Sequence, residues 1–303
     1  MPVNNRKNPF VLAPALTLVV LVLLLFFRLF DAQSAIAQIF MRGVLASLAF
    51  FIPLAVYLAL RGHALPQILP LFGMRAQAWR LSLAALVSLI LWDSLFRYGI
   101  LRAALPAGHL SLYGLSVPYP ETLAEAVLAV FFVALLPAIL EESVFRGALF
   151  YEYRFLDPIW TVVISALLSA CLGTSFPAFF ALFYRALCFA LVRYLTGSLA
   201  GAIAVHAGYA VFSLFLEKYF ALSAIAEESL PLYRLVLTVA LGVSAFFFFH
   251  HAEGCLRARR DEPAPATLSG ARRQLARFDC LTAPPLALFA VVFLIAAIVR
   301  LLL

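Results

Sequence analysis

Apolar side chains follow one another in runs of about twenty residues, with few charges between them, along almost the whole chain. At 1.5 Å of rise per residue, a run of that length crosses a hydrocarbon layer of about 30 Å as a helix. Seven runs are clear: Phe10 to Phe27, Val44 to Leu60, Leu81 to Leu101, Leu123 to Leu140, Leu199 to Leu216, Leu232 to Phe249 and Leu286 to Leu303. Two are weaker. Ile159 to Leu172 is short, and Phe176 to Leu195 carries Arg185 and Arg193 inside a Phe-rich stretch. The pattern predicts an all-α polytopic integral membrane protein with nine transmembrane helices, or eight if one weak run fails to span.

Composition agrees and narrows the field. Of 303 residues 65% are apolar and 12% charged, against roughly half and a quarter in a globular chain, so polar side chains are too few to cover a water-facing surface. Disorder, nucleic-acid binding and a disulfide-stapled secreted scaffold need high charge, a solvated basic face or dense cysteine, and are excluded together. The net charge of +7 is then read as topology. With the N-terminus cytosolic, the inner connections collect Arg6 and Lys7, then Arg61, Arg75 and Arg80, then Arg154, and last Arg257, Arg259, Arg260, Arg272, Arg273 and Arg277. The stretch Glu217 to Leu230 is acidic, as an outer loop would be. This places the protein in a plasma (inner) membrane, with lipids as its immediate partners. The first run has the form of a signal peptide, with Ala35-Ile36-Ala37 as a cleavage site, but its length and Arg28 favour an uncleaved anchor. Cys171, Cys188, Cys255 and Cys280 fit no metal spacing and no disulfide framework. The polar segment from His250 to Pro285 reads as a cytosolic linker. A sharper reading takes Ser269 to Phe278 as an interfacial helix, with Leu275 and Phe278 toward lipid and Arg272, Arg273 and Arg277 toward anionic headgroups.

Ionisable groups inside spans cost about 2.5 to 3.5 kcal/mol each, so each calls for a partner or a purpose. Asp93 and Arg97, four apart, read as a self-neutralising pair. Arg185 and Arg193 have no acid in their own helix and read as snorkelling toward the interface. Glu141 and Glu142 are different, since two adjacent carboxylates emerge directly from an apolar helix. Glu142 and Arg146 stand i,i+4 with the acid N-terminal, the favourable order for an ion pair, which leaves Glu141 unpaired and turned about 100° away. A desolvated carboxylate so placed suits proton transfer. The plainer reading is an ion pair at a helix end. His206 is the one histidine in a predicted span, and Gly201 and Gly208, two turns apart, would let a neighbouring helix approach close to it.

Glu141-Glu142-Ser143-Val144-Phe145-Arg146-Gly147, with Leu195-Thr196-Gly197-Ser198-Leu199 and His206 further on, resembles the CPBP family of intramembrane proteases, the CAAX prenyl endopeptidases and bacteriocin-processing or immunity proteins. The resemblance runs over about Leu123 to Leu216. It divides the chain into N-terminal spans (1–122), a four-helix CPBP-like core (123–216) and C-terminal spans (217–303) with the Arg-rich loop 250–285. It implies that Glu141 is the base activating a water, Glu142 and Arg146 its support, and His206 a metal ligand or oxyanion donor. A divalent metal such as zinc is then conceivable, with His206 and Glu141 as the candidate ligands. The implied substrate is a prenylated or otherwise membrane-delivered peptide.

Two family positions are not met. Aligning Ile164 to Gly173 with the family's Phe-x-x-x-His motif puts Ser169 at the Phe and Gly173 at the His, and no histidine occurs between Leu110 and Val205. Ala210 stands where the family has Asn after the last His. A site short of one such donor is slowed about a hundred- to a thousandfold. Two functions therefore stay open: an intramembrane endopeptidase, or a catalytically degenerate relative acting as a membrane immunity, scaffold or peptide-binding protein. Convergence of Glu141 and His206 would favour the first. An apolar plug beside Gly173 would favour the second, and a polar side chain such as Arg185, Tyr209 or Asp93 reaching in would mean a rewired site.

Overall fold

All nine apolar runs fold as helices, because in lipid a lone segment satisfies its backbone N–H and C=O groups only by coiling on itself. The computed structural model describes residues 9–30, 32–61, 65–71, 73–101, 109–112, 115–223, 228–258 and 270–302. Helix α1 is Pro9–Phe27, α2 Ala35–Arg61, α3 the single turn Leu65–Ile68 and α4 Ala76–Ile100. A short antiparallel hairpin follows, β1 His109–Leu112 and β2 Leu115–Pro118, with Leu110 opposite Val117. Then come α5 Leu123–Glu152, α6 Pro158–Cys171, α7 Phe176–Thr196, α8 Leu199–Phe215, α9 Glu217–Ser223, α10 Leu230–Ala258, α11 Gly270–Leu281 and α12 Pro284–Leu302. By length and composition six of these can cross a membrane alone (α2, α4, α5, α7, α10 and α12), and α8 with α9 makes a seventh span bent by 59°. The apolar parts of α1 and α6 are shorter. The expected nine segments are thus all present, but six or seven have full spanning length.

Helix α10 lies along α4, α6 along α7, and α1 against both α2 and α12, while α8 is held between α4, α7 and the middle of α5. The largest core joins Leu21, Phe50, Phe145, Leu149, Leu168 and Phe289, drawn from five helices. Outward-facing Phe51, Val56, Val239, Phe246, Ile295 and Leu302 are exposed, as side chains facing lipid must be. Gly201 and Gly208 do admit a neighbour. A Cβ at Gly201 would stand 2.9 Å from the Ser82 hydroxyl, and one at Gly208 2.7 Å from Leu86, both on α4.

Helix α5 is long but not uniform. Pro137 has no N–H and its ring clashes with the carbonyl four residues back. The chain answers with a wide π turn over Val130–Leu135, in which the Leu136 N–H donates to the Phe131 carbonyl. A second π turn, Ser143–Ala148, follows Glu142 and carries Arg146. Single π turns of this kind redirect side chains within an otherwise continuous helix.

Several basic residues expected at one membrane face do meet at one end of the bundle. Arg61 bonds both oxygens of Glu152 at 2.7 and 2.5 Å, Arg75 reaches the Ala258 carbonyl at 3.5 Å, and Arg277 pairs with Asp157 at 3.4 Å. At the opposite end Arg28 donates to the Thr174 hydroxyl at 2.6 Å and Arg300 to the Gly173 carbonyl at 2.9 Å. The turn they hold includes Thr174 at φ +44°, a left-handed conformation uncommon for a β-branched residue. Burial, and then the nearby Arg300 charge, push the Arg28 guanidinium down to about 10.

Some expectations shift. Helix α2 begins at Ala35, so the Ala35-Ile36-Ala37 segment opens a helix, and α10 continues past Phe249 so that His250 and His251 are helical. A helix does form near the predicted interfacial segment, with Leu275 and Phe278 exposed. Arg6, Lys7, Arg259, Arg260, Ser269 and the side chains of Arg272 and Arg273 lie outside the described residues.

Candidate active site

The site forms where α5, α6, α7 and α8 meet. Glu141 and Glu142 end the α-helical stretch after Pro137, and the following π turn swings Arg146 back under Glu142, with its Nε 3.2 Å from Glu142 Oε2. Both side chains of this pair are fully sealed from the surface. Arg146 also donates to the Ala186 carbonyl of α7 at 2.6 Å and lies 5.7 Å from the Phe145 and Phe189 rings. Its own carbonyl accepts from Arg193 Nε at 3.2 Å. The expected i,i+4 pair is present, and Arg193, read from the sequence as snorkelling, instead ties α7 to α5.

His206 enters from α8. Its Nδ1 lies 2.9 Å from Glu142 Oε1. A carboxylate already paired with a guanidinium can only accept, so Nδ1 carries the proton and Nε2 is turned outward. That second nitrogen is 3.8 Å from Glu141 Oε2. The Phe189 ring stacks on the imidazole at 4.6 Å and 11° and fixes its plane. All four residues singled out in the sequence are thus brought together, with Glu142 as the joint between Arg146 and His206.

Glu141 is not left alone, contrary to the expectation from its neighbours. Ser169 of α6 donates to its Oε1 at 2.7 Å. The α6 residue facing Glu141 is Ser169, one turn before Gly173, whose carbonyl is turned to Arg300 of α12. The place a side chain at Gly173 would occupy is filled, since a Cβ there would come within 2.2 Å of Leu182 Cδ1.

Glu141, Glu142 and His206 offer donor atoms within 4.8 Å of one another, a spacing that can gather around a metal ion. The donors are not equivalent. Glu142 has one oxygen on His206 Nδ1 and the other against the Arg146 guanidinium. That leaves Glu141 and His206 Nε2, one ligand short of the three protein ligands a catalytic zinc takes, with a buried cation behind them. As arranged, the residues do not fit a complete zinc site.

A second buried polar cluster lies beside the first. Asp93 of α4 accepts from the hydroxyls of Tyr184 and Tyr209 and from Arg97 at 3.1 Å, and Arg185 stands 3.8 Å away. Arg97 continues to Glu217 at 2.6 Å, which also accepts from Tyr98 at 2.5 Å. Asp93 and Arg97 are therefore not a self-contained pair, Glu217 is a buried acid rather than a solvated loop charge, and Arg185 points inward instead of snorkelling.

The Glu-Glu-x-x-x-Arg segment facing a histidine lies in the part of this helical membrane chain that is similar to CAAX-type proteases. Residues 123–212 match the family model described as "Rce1-like: Type II CAAX prenyl endopeptidase Rce1-like". Over that segment, α5 through most of α8, the resemblance to CPBP membrane proteases read from the motif is borne out. No curated protein and no solved structure matches the chain.

Proposed function

We propose that the protein is an intramembrane endopeptidase acting on a membrane-delivered, lipidated peptide, with Glu141 as the base and His206 as the donor to the oxyanion. One observation carries this reading: Glu141 Oε2 and His206 Nε2 face each other at 3.8 Å without bonding, while Glu142 holds the far side of the ring. Two polar atoms at that separation can both touch one water at about 2.8 Å. Glu141 takes a proton from that water as its oxygen attacks the peptide carbonyl carbon. With a second proton on the ring, the imidazolium donates from Nε2 to the oxygen that becomes negative, and Glu141 returns its proton to the departing amine as the C–N bond breaks. Ser169 holds the second Glu141 oxygen and so sets which one faces the water.

The competing reading, binding without hydrolysis, is favoured by the Leu182 side chain beside Gly173 and by a single imidazole where two donors would work faster. Both readings seat the protein in the membrane, and the arginine-bearing end of the bundle supports a cytosolic N-terminus. The test is hydrolysis of a prenylated peptide by the purified protein in liposomes. Glu141→Gln should lower the rate by about 10²–10⁴-fold, as loss of a general base does. Equal rates in the variant and the wild type, or no hydrolysis by either, would sink the peptidase reading.

A further inference from the structure

Arg300 stands in line with the packed face of α12. The buried residues of that helix are Phe289, Phe293 and Ala297, four apart, and Arg300 is the next position on the same stripe. A snorkelling arginine would turn away from the protein toward water. This one turns to the loop between α6 and α7 and donates from Nη1 to the Gly173 carbonyl at 2.9 Å. Arg28, at the end of α1, reaches the same loop, with Nη1 on the Thr174 hydroxyl at 2.6 Å and Nη2 on the Leu172 carbonyl at 3.4 Å. Three consecutive residues thus receive two guanidiniums. The cations feel each other, since burial and then the Arg300 charge bring Arg28 down to about 10.

Arg300 is exposed and has no acid partner among the described residues, and its one hydrogen bond there leaves Nε and Nη2 open to a further acceptor. The surroundings say what kind of acceptor. The two arginines lie at one end of the bundle, opposite the Arg61–Glu152 pair, where a span that has crossed the bilayer meets the headgroups. Next to them, toward the bilayer interior, the surface is aromatic. Phe176 opens α7 just beyond the loop, 41% exposed, with its ring 5.8 Å from that of Phe293, and Phe180 one turn further is 68% exposed. A cationic rim above an apolar, lipid-facing flank matches a molecule that is anionic at one end and hydrocarbon at the other.

We infer that a phospholipid of net negative charge is held at this end of the bundle, its phosphate in the fork of Arg300 with the Arg28 charge behind it, and an acyl chain over Phe176 and Phe180. The planar guanidinium suits a phosphate bidentately, which an ammonium does not. A zwitterionic lipid brings a cation of its own to a place that already holds two, and inorganic phosphate has nothing to lay on the phenylalanines. The assignment is independent of hydrolysis at Glu141.

The experiment measures binding of fluorescent short-chain phosphatidylglycerol and phosphatidylcholine to the full chain in a neutral detergent. Phosphatidylglycerol should bind about tenfold or more tightly, the effect of one charged hydrogen-bonded pair. Arg300→Gln should bring the ratio to about one, and Arg300→Lys, which keeps the charge and loses the fork, should restore part of it. Phe180→Ala should weaken both lipids alike and leave the ratio unchanged. Arg154→Gln, which removes an exposed cation at the other end of the bundle, should also leave it unchanged. Because the readout is a ratio of two affinities on one preparation, an unfolded fraction that binds neither lipid does not alter it. Equal binding of the two lipids by the wild type, binding of neither, or a preference that survives Arg300→Gln would each overturn the site. A preference lost as fully in Arg154→Gln would do so too, since the net charge of the chain would then explain it. Displacement of the lipid by an equal concentration of inorganic phosphate would likewise reduce the site to one for a free ion.

Discussion

Two buried ionic clusters lie side by side in this bundle, and they are finished to different degrees. Around Asp93 and Glu217 each acid receives a guanidinium and at least one tyrosine hydroxyl, in a chain running through α4, α7, α8 and the start of α9. Around Glu142 the same logic holds, with Arg146 on one side and His206 on the other. Glu141 departs from it, accepting from the Ser169 hydroxyl and standing 3.8 Å from an imidazole nitrogen. In lipid a saturated cluster stabilises by cross-linking helices, while a carboxylate facing an imidazole nitrogen across 3.8 Å is kept at a stability cost that only chemistry or ligand binding repays.

Substitutions should separate the two roles. The largest effect is expected for Arg146→Ala, which leaves Glu142 sealed without its cation: about 3–5 kcal/mol of stability, read as a collapse of thermal midpoint in detergent. Retention of the wild-type midpoint would mean Glu142 is not ionised. Glu141→Gln comes next and should be nearly silent in stability, because the amide oxygen still accepts from Ser169, while hydrolysis falls by about 10²–10⁴-fold. A stability loss as large as that of Arg146→Ala would place Glu141 among the structural acids after all. Glu217→Gln belongs to the other cluster and should show the reverse, a loss of about 2 kcal/mol as the charged bonds from Arg97 and Tyr98 weaken. Turnover per folded molecule should stay within about threefold of wild type, far less than the loss of a catalytic donor. The smallest change is Ser169→Ala, about 1 kcal/mol for one hydrogen bond, with a modest fall in rate. An unaltered rate would show that Ser169 only fills space.

What could be read from the chain followed charge density. Adjacent Glu141 and Glu142 in an apolar run stand out because nothing nearby dilutes them, and Arg146 sits at a spacing that a single helix explains. His206 stands out for the same reason. Arg185 was legible as an anomaly but not as to purpose, since its acid lies on α4, 92 positions away in sequence (185 − 93), and pairing across helices leaves no local period. Ser169 was harder, because a hydroxyl is cheap to bury and common in apolar helices. A signal was present nonetheless: Thr161, Ser165 and Ser169 repeat every four residues, and all three turn to α5 or the turn that follows it. The nine apolar runs were plain from hydropathy, but not the π turns, which depend on where Pro137 and Glu142 must point once the helices pack.

The arginines that hold the turn after α6 come from α1's end and from α12, near the two extremities of the described chain. That turn sets where α6 stops, and with it the height of Ser169. The family model matches residues 123–212, yet the geometry of that segment is adjusted from beyond both of its borders. A transplant of the segment into a foreign set of flanking helices would therefore carry the motif and lose its alignment, unless the new scaffold brought two cations to the same loop.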